Sequence, residues 1–358
     1  MTPYSNLPAR NFWSPAVGKR KALQIDELWV PKWQVTPQTR VVTFGSCFAQ
    51  HFSKALVARG YAWTNMEPGP AGLGPEGITK FNYDVFSART GNIYTANILR
   101  QWCDWAAGTA VPPDEAWEAE GRFYDPFRPA IEPGGFESRE EMQDSRALTI
   151  EAFGEAIRKA DVFVFTLGLT ESWRSADQTC EYALCPGTVA GEFDPEAHVF
   201  VNESYPNIAK SLRQAIAVMH GLNPKLRVLL TVSPVPLTAT ATDAHVLVAT
   251  TYSKSVLRAV AGDVVANRAL IDYFPSYEII VSPPYGGQFF ADNKRSVMSA
   301  GVDHVMAQFF AGQEAKYGPA PEPAEPPAVQ KRKAAAAAAT EAGLVCEEAL
   351  LAAFGPGV

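Results

Sequence analysis

The sequence predicts a three-layer α/β/α sandwich: a five-stranded parallel sheet, helices on both faces, and long insertions. Three observations predict it. Short β-branched and aromatic runs alternate with segments of helical periodicity, the pattern of parallel strands joined by crossover helices. The first run, Val41-Val42-Thr43-Phe44, breaks at Gly45 just before a helical segment. An apolar fraction of 47%, with 20 phenylalanines in 358 residues, can fill the core of one large domain or two small ones.

Residues 1–39 are irregular and rich in Pro and Trp, and are expected to wrap a domain spanning 40–317. Strands are expected at Val41–Phe44, Tyr61–Thr64, Val162–Leu167, Arg227–Val232 and Ala269–Tyr273. Helical periodicity fits Phe48–Arg59, Thr149–Lys159, Tyr205–Gly221, Val246–Asn267 and Ser299–Phe310. Two stretches do not alternate. Met66–Leu148 carries Gly/Pro turns, an aromatic helix candidate at Thr95–Trp105 and the segment Asp125-Pro126-Phe127-Arg128, and Arg174–Asn202 reads as a hairpin insertion. Ligands of open α/β sheets bind beyond the carboxyl ends of the strands, so both insertions are expected to wall the site. After Tyr317 the chain reads as a Pro/Ala-rich linker over 318–340, which includes Lys331-Arg332-Lys333 and the run Ala334–Ala339. A tail over 341–358, helical or disordered, follows. Its Leu344, Val345, Ala349, Leu350, Ala353 and Phe354 form an apolar face suited to a protein partner or to the parent domain.

Charge and cysteines narrow the function classes. A net charge of −7 argues against electrostatic nucleic-acid binding. No apolar run approaches membrane-spanning length and no charged-then-apolar leader is visible. Five cysteines at irregular spacing do not form a secreted disulfide pattern, so a cytoplasmic protein is expected. Cys180 and Cys185 lack two further partners at zinc spacing, and neither a metal nor another cofactor is expected.

The strand–glycine–Ser46-Cys47–helix arrangement presents a reactive side chain at the end of a sheet. Unpaired amides and the positive end of the helix dipole favour a thiolate there and can hold an oxyanion. The same pattern suits a Rossmann-like first turn with a small, inert, buried cysteine.

Gly45-Ser46-Cys47-Phe48-Ala49 is similar to the signature of the GSCFA family, a branch resembling the SGNH/GDSL hydrolases. The resemblance runs from about Arg40 to Phe310. It takes in Gly91-Asn92-Ile93-Tyr94-Thr95, Asp125-Pro126-Phe127-Arg128-Pro129, Thr166-Leu167-Gly168-Leu169-Thr170-Glu171-Ser172-Trp173 and Thr231-Val232-Ser233-Pro234-Val235-Pro236. A five-stranded parallel sheet agrees with the sandwich that this resemblance implies.

Set without gaps on a Gly-Asp-Ser-Leu block, the chain places Ser46 at the aspartate and Cys47 at the nucleophilic serine. Cys47 is therefore the expected nucleophile, and Ser46 the alternative nucleophile, oxyanion donor or helix cap. Thr166–Glu171 resembles the Gly-x-Asn-Asp block, which makes Gly168 N–H and Thr170 Oγ1 expected oxyanion donors. Glu171 either orients a histidine, binds substrate hydroxyls or is a helix-start acid. The Asp-x-x-His block falls on Asp292–Val297, where Ser296 or Arg295 stands in place of histidine. His245, in a polar loop with Asp243 nearby, is the first-ranked base, and His51, one helical turn beyond Cys47, the second. His198, His220 and His304 have no such context. Asn92, Tyr94, Asp125, Arg128 and Trp173 are expected to line the site, with Arg128 binding an anion or forming a salt bridge that ties the insertion down. Ser253 and Lys254 are adjacent and diverge around a helix, which speaks against a Ser-Lys dyad.

These features lead to an acyl-transfer enzyme, an esterase or O-acyltransferase. Its substrate would be a small-molecule or glycan ester, with an acyl thioester as donor in the transferase case. A binding module for a glycan or nucleotide-like ligand is the alternative. A redox thiol at Cys47, resolved by Cys103, is a third reading.

Overall fold

The computed structural model describes residues 2–321 and 346–355. In chain order come β1 (Val41–Gly45), α1 (Phe48–Ala58), α2 (Pro75–Lys80), α3 (Ala96–Ala106), β2 (Trp117–Ala119), β3 (Arg122–Tyr124) and α4 (Arg139–Lys159). They are followed by β4 (Val162–Leu167), β5 (Glu171–Ser175), β6 (Glu181–Tyr182), β7 (His198–Asn202), α5 (Tyr205–Leu222) and β8 (Arg227–Val232). The domain closes with α6 (Val246–Val265), β9 (Ile271–Tyr273), α7 (Ser276–Val281) and α8 (Ser299–Tyr317).

β1, β4, β8 and β9 form a parallel sheet in the order β1-β4-β8-β9. Their side chains alternate between two cores, as a period of two requires. Val42, Phe44, Phe163, Phe165, Val228 and Leu230 pack with α3, α4, α5 and α6. Val41, Val162, Val164 and Leu229 pack on the other side with α1, α7, α8 and the N-terminal Trp29 and Trp33. Both faces are covered, so the strands read as nearly continuous apolar runs.

The sheet has four strands where five were expected. Tyr61–Thr64 contributes a single parallel bridge, Val41↔Trp63. The reason lies one step along the β1 edge. Val41 N–H donates to Ala62 O and Val41 O accepts from Thr64 N–H, but Thr43 N–H donates to Ser87 Oγ at 3.0 Å. A side chain has taken the next rung, so no backbone ladder continues there.

The first-residue stretch lies against α8 and β9. Lys32 N–H donates to Asp272 Oδ2, Lys32 Nζ to three carbonyls between the end of α6 and the start of β9, and Val35 N–H to Gln313 Oε1. α4 starts ten residues before the expected Thr149, because Ser138 Oγ caps it by accepting from Glu141 N–H at 3.0 Å. The Arg174–Asn202 insertion is more than a hairpin. It supplies most of a three-stranded antiparallel sheet ordered β6-β5-β7. Most of the expected linker, including Lys331-Arg332-Lys333 and the polyalanine run, lies outside the described residues, as do Leu344 and Val345 of the expected tail. Of the tail, Glu347–Phe354 forms a 3₁₀ helix. Among the described residues, no helix is long and apolar enough to cross a membrane.

Candidate active site

Gly45 ends β1 with φ of +126°, a conformation that glycine adopts freely and other residues rarely do. The kink lets Ser46 N–H continue the ladder to Thr166 O at 3.0 Å while Cys47 becomes the N-cap of α1. Ser46 is 2% exposed and Cys47 7%. The Ser46 hydroxyl is buried without a hydrogen-bond partner among the described residues. Such a group costs about 1–3 kcal/mol of stability unless a water, ion or ligand meets it.

Three further segments are fastened to this turn. Ile93 N–H donates to Gly45 O at 2.9 Å, which brings Asn92 and Tyr94 beside it. Tyr94 O in turn accepts from Gly168 N–H and Leu169 N–H. Gly168 packs so closely that a Cβ there would lie 3.1 Å from Ser46 Cβ and 3.0 Å from Tyr94 O. From α6, Lys254 Nζ donates to Gly168 O at 2.7 Å and Ser253 Oγ accepts from Thr170 N–H at 3.1 Å. Ser46, Cys47, Asn92, Tyr94, Gly168, Thr170, Ser253 and Lys254 thus gather at the carboxyl ends of β1 and β4, all buried.

Lys254, 2% exposed, is the residue that pattern reading set aside. Adjacent positions do diverge around the helix, and here they diverge onto two residues of one turn, Gly168 and Thr170. A signal was present: Lys254 lies three and seven residues before Leu257 and Ala261, on the buried stripe of α6. Lys254 Nζ thereby lies one residue from Ser46, through Gly168, where a protonated amine would favour a thiolate or oxyanion.

Both expected oxyanion donors are otherwise engaged. Gly168 N–H is held by Tyr94 O, and Thr170 Oγ1 donates to Asn202 Oδ1 at 2.8 Å. The first-ranked base is a helix cap. His245 is exposed, and its Nδ1 accepts from Leu247 N–H at 3.2 Å at the start of α6. His198 accepts from Asp194 N–H, His220 Nε2 meets Leu226 O, and His304 stacks with Phe289. His51 lies one turn along α1 from Cys47, its ring 5.5 Å from that of Phe48. At the position of the missing histidine, Arg295 Nε donates to Pro236 O and Ser296 is exposed.

Burial, with Lys54 nearby, lowers the His51 pKa to about 4, so the ring is neutral at pH 7. An unfolded chain takes up this proton near pH 6.5 while the folded chain refuses it down to about pH 4. Stability is therefore unaffected above pH 6.5 and falls by up to about 3 kcal/mol as pH drops towards 4. Urea titrations across this range should show that slope in the native chain and its loss in His51→Gln.

Asp125 and Arg128 do not line the site; they are buried in the core. Asp125 Oδ2 accepts from Arg128 Nε at 2.7 Å and Oδ1 from Arg146 Nε at 3.1 Å. The salt-bridge alternative for Arg128 is the one the geometry shows, with Arg146 as a second partner. Cys103 is wholly buried on the inner face of α3, where burial, with Asp104 adding to it, raises its thiol well above the ordinary range. It is a poor resolving thiol.

Glu171 and Trp173 stand in the wall of a neighbouring cleft of about 670 Å³, together with Tyr94, Leu169, Phe200 and Leu237. Glu171 accepts from Thr240 Oγ1 at 2.7 Å and from Ala241 N–H at 3.3 Å, which anchors the loop after β8. Leu169 follows β4 and Leu237 follows β8, so the cleft lies at the carboxyl end of the sheet, where α/β ligands bind.

No curated protein matches the chain. A family model for the GSCFA family matches residues 40–309, a span that runs from β1 into α8 and contains every residue of the cluster around Ser46 and Cys47. The chain belongs to the GSCFA family.

Proposed function

We propose that the chain is an acyl-transfer enzyme, an esterase or O-acyltransferase related in fold and chemistry to the SGNH/GDSL hydrolases. One observation carries the reading: a glycine-kinked turn at the end of a parallel strand holds a buried, unpartnered Ser46 hydroxyl beside Cys47 at a helix N-terminus. In this scheme Cys47 attacks the acyl carbonyl, the alcohol or thiol leaves, and the acyl group rests on sulfur. His51 takes the thiol proton and returns it to the leaving group. Ser46 Oγ and the first amides of α1 hold the oxyanion, and Lys254 adds a fixed positive charge. Water as second acceptor completes hydrolysis; a sugar hydroxyl completes transfer, with an acyl thioester as the matching donor. The substrate is a small or carbohydrate-linked ester, and the aromatic wall around Trp173 suits it.

The engaged Gly168 N–H and Thr170 hydroxyl, and a histidine held neutral down to about pH 4, favour a second reading. In it the fold is kept as a binding module for a glycan or nucleotide-like ligand.

Incubation with an activated acetyl ester, followed by intact and peptide mass spectrometry, separates the two. The enzyme reading expects an acetyl adduct on Cys47 that Cys47→Ala lacks, with turnover reduced by about 10³-fold or more. An adduct on Ser46 that survives in Cys47→Ala would reverse the roles of the two residues. No adduct and no turnover from neutral to mildly alkaline pH would leave the binding module.

A further inference from the structure

The cleft beside the catalytic turn is not open to solvent on every side. Leu351, Ala352, Phe354 and Gly355, from the 3₁₀ helix near the C-terminus, form one of its walls. The others come from the family domain: Leu169 and Leu237 after the central strands, and Trp173, Phe193 and Phe200 from the antiparallel insertion. These five side chains present an apolar lining of the kind that holds a hydrocarbon chain. Polar groups are few. Glu171 is occupied by the loop after β8, and the Ser172 hydroxyl is buried in the wall without a hydrogen-bond partner among the described residues.

The segment that closes the cleft is weakly held. Phe354 is 67% exposed and Leu350 46%, although both are large apolar side chains. A segment packed this loosely would bind only weakly as a separate peptide. Covalent attachment to the domain changes that, because tethering gives a segment a local concentration of roughly a millimolar. Affinity in the range of about 0.1 mM then suffices to keep the cleft covered most of the time, yet leaves the cover easy to displace.

We infer that this cleft binds the apolar chain of a substrate and that the C-terminal segment around Leu351 and Phe354 is its intramolecular competitor. The identification of that chain as the acyl portion of an ester rests on the acyl-transfer reading. The binding and its competition do not. A ligand with a longer apolar chain displaces the segment and reaches the turn; a short acetyl group passes without needing the cleft. The segment thus acts as a filter for chain length and as a brake on the unliganded protein.

The test uses the full-length chain and a dansyl-labelled undecanoic acid as probe, read by fluorescence. The native protein is expected to bind the probe weakly. Leu351→Asp combined with Phe354→Asp is expected to bind it about 10-fold more tightly, the ratio of the local concentration to the segment's own affinity. A synthetic peptide of residues 342–358 should displace the probe from this variant, and Phe200→Glu in the same background should abolish binding, which places the probe in the cleft. Far-UV circular dichroism checks that each variant is folded. Equal probe affinity in the native and doubly substituted chains, or binding by neither, overturns the proposal. Because no turnover is involved, the same measurement on Cys47→Ala gives the same answer whether or not the protein is an enzyme.

Discussion

Gly45→Ala is expected to leave little folded protein. A Cβ on Gly45 would lie 2.4 Å from Thr166 O and 2.6 Å from Thr166 N, both backbone atoms of the adjoining central strand. Those atoms cannot give way. β4 is paired with β1 on one side and with β8 on the other, and Gly45 faces Thr166 directly in the β1–β4 register. The residue also sits at φ of +126°, where an L side chain adds about 1–3 kcal/mol of backbone strain. Strain and collision together should cost about 3 kcal/mol or more, out of a typical total of about 5–15 kcal/mol. The measurement is a urea midpoint by circular dichroism, with Gly221→Ala as control. Gly221 is in α5, and a Cβ there would meet nothing within 4 Å, so that substitution should stabilise by about 0.5–1 kcal/mol. A native midpoint for Gly45→Ala would mean that the turn is not built as described.

Asp125→Ala is expected to destabilise the fold by about 3–5 kcal/mol, the usual consequence of stranding a buried charge. The carboxylate stands between two guanidinium groups that are themselves buried, Arg128 and Arg146. Those groups reach further partners: Arg128 meets Thr149 Oγ1 and Arg89 O, and Arg146 meets Pro113 O and Glu115 O. Removing Asp125 leaves two cations in the interior with only neutral acceptors. Asp125→Asn keeps the shape and loses the charge, so it should fall in the same range if charge rather than volume decides. Burial pushes the Asp125 carboxyl up, but Arg146 and Arg128 more than offset it and hold it below the usual carboxylate range. Its contribution is therefore present above about pH 4 and lost as pH falls through the lowered folded value. Thermal melts of the native chain and Asp125→Asn should accordingly converge in strong acid.

The central strands and the helices that cover them were legible because their signal is local. β4 and β8 begin and end where the apolar runs do, since a strand buried on both faces has little choice of residue. The failures have physical causes of their own. Tyr61–Thr64 has strand composition, but whether it pairs depends on the rung that Ser87 occupies, and Ser87 is remote in sequence. The first turn of α4, Arg139-Glu140-Glu141, is exposed and charged, so apolar periodicity is silent there and only the Ser138-x-x-Glu141 box announces the start. Within the site, the Gly45-Ser46-Cys47 turn was legible, as was the nearness of Gly168. His245 looked like a base from its loop, yet it caps a helix, because a side-chain acceptor at that position is nearest to the amide two residues on.

From the sequence alone came the parallel α/β core, the glycine-kinked turn and the family it signals. These rest on side-chain periodicity and on a backbone conformation that glycine adopts freely and other residues rarely do, both local properties of the chain. Tertiary structure alone decided which charges are buried and what they meet. Asp125 and Arg128 stand beside each other in an insertion, and only Arg146, brought from α4, turns them from loop polarity into a core ion cluster. Lys254 is one lysine on a helix until α6 lays it against Gly168 O, next to Ser46. An ionisable group can enter the interior only where partners converge on it, and that convergence is a property of the folded chain.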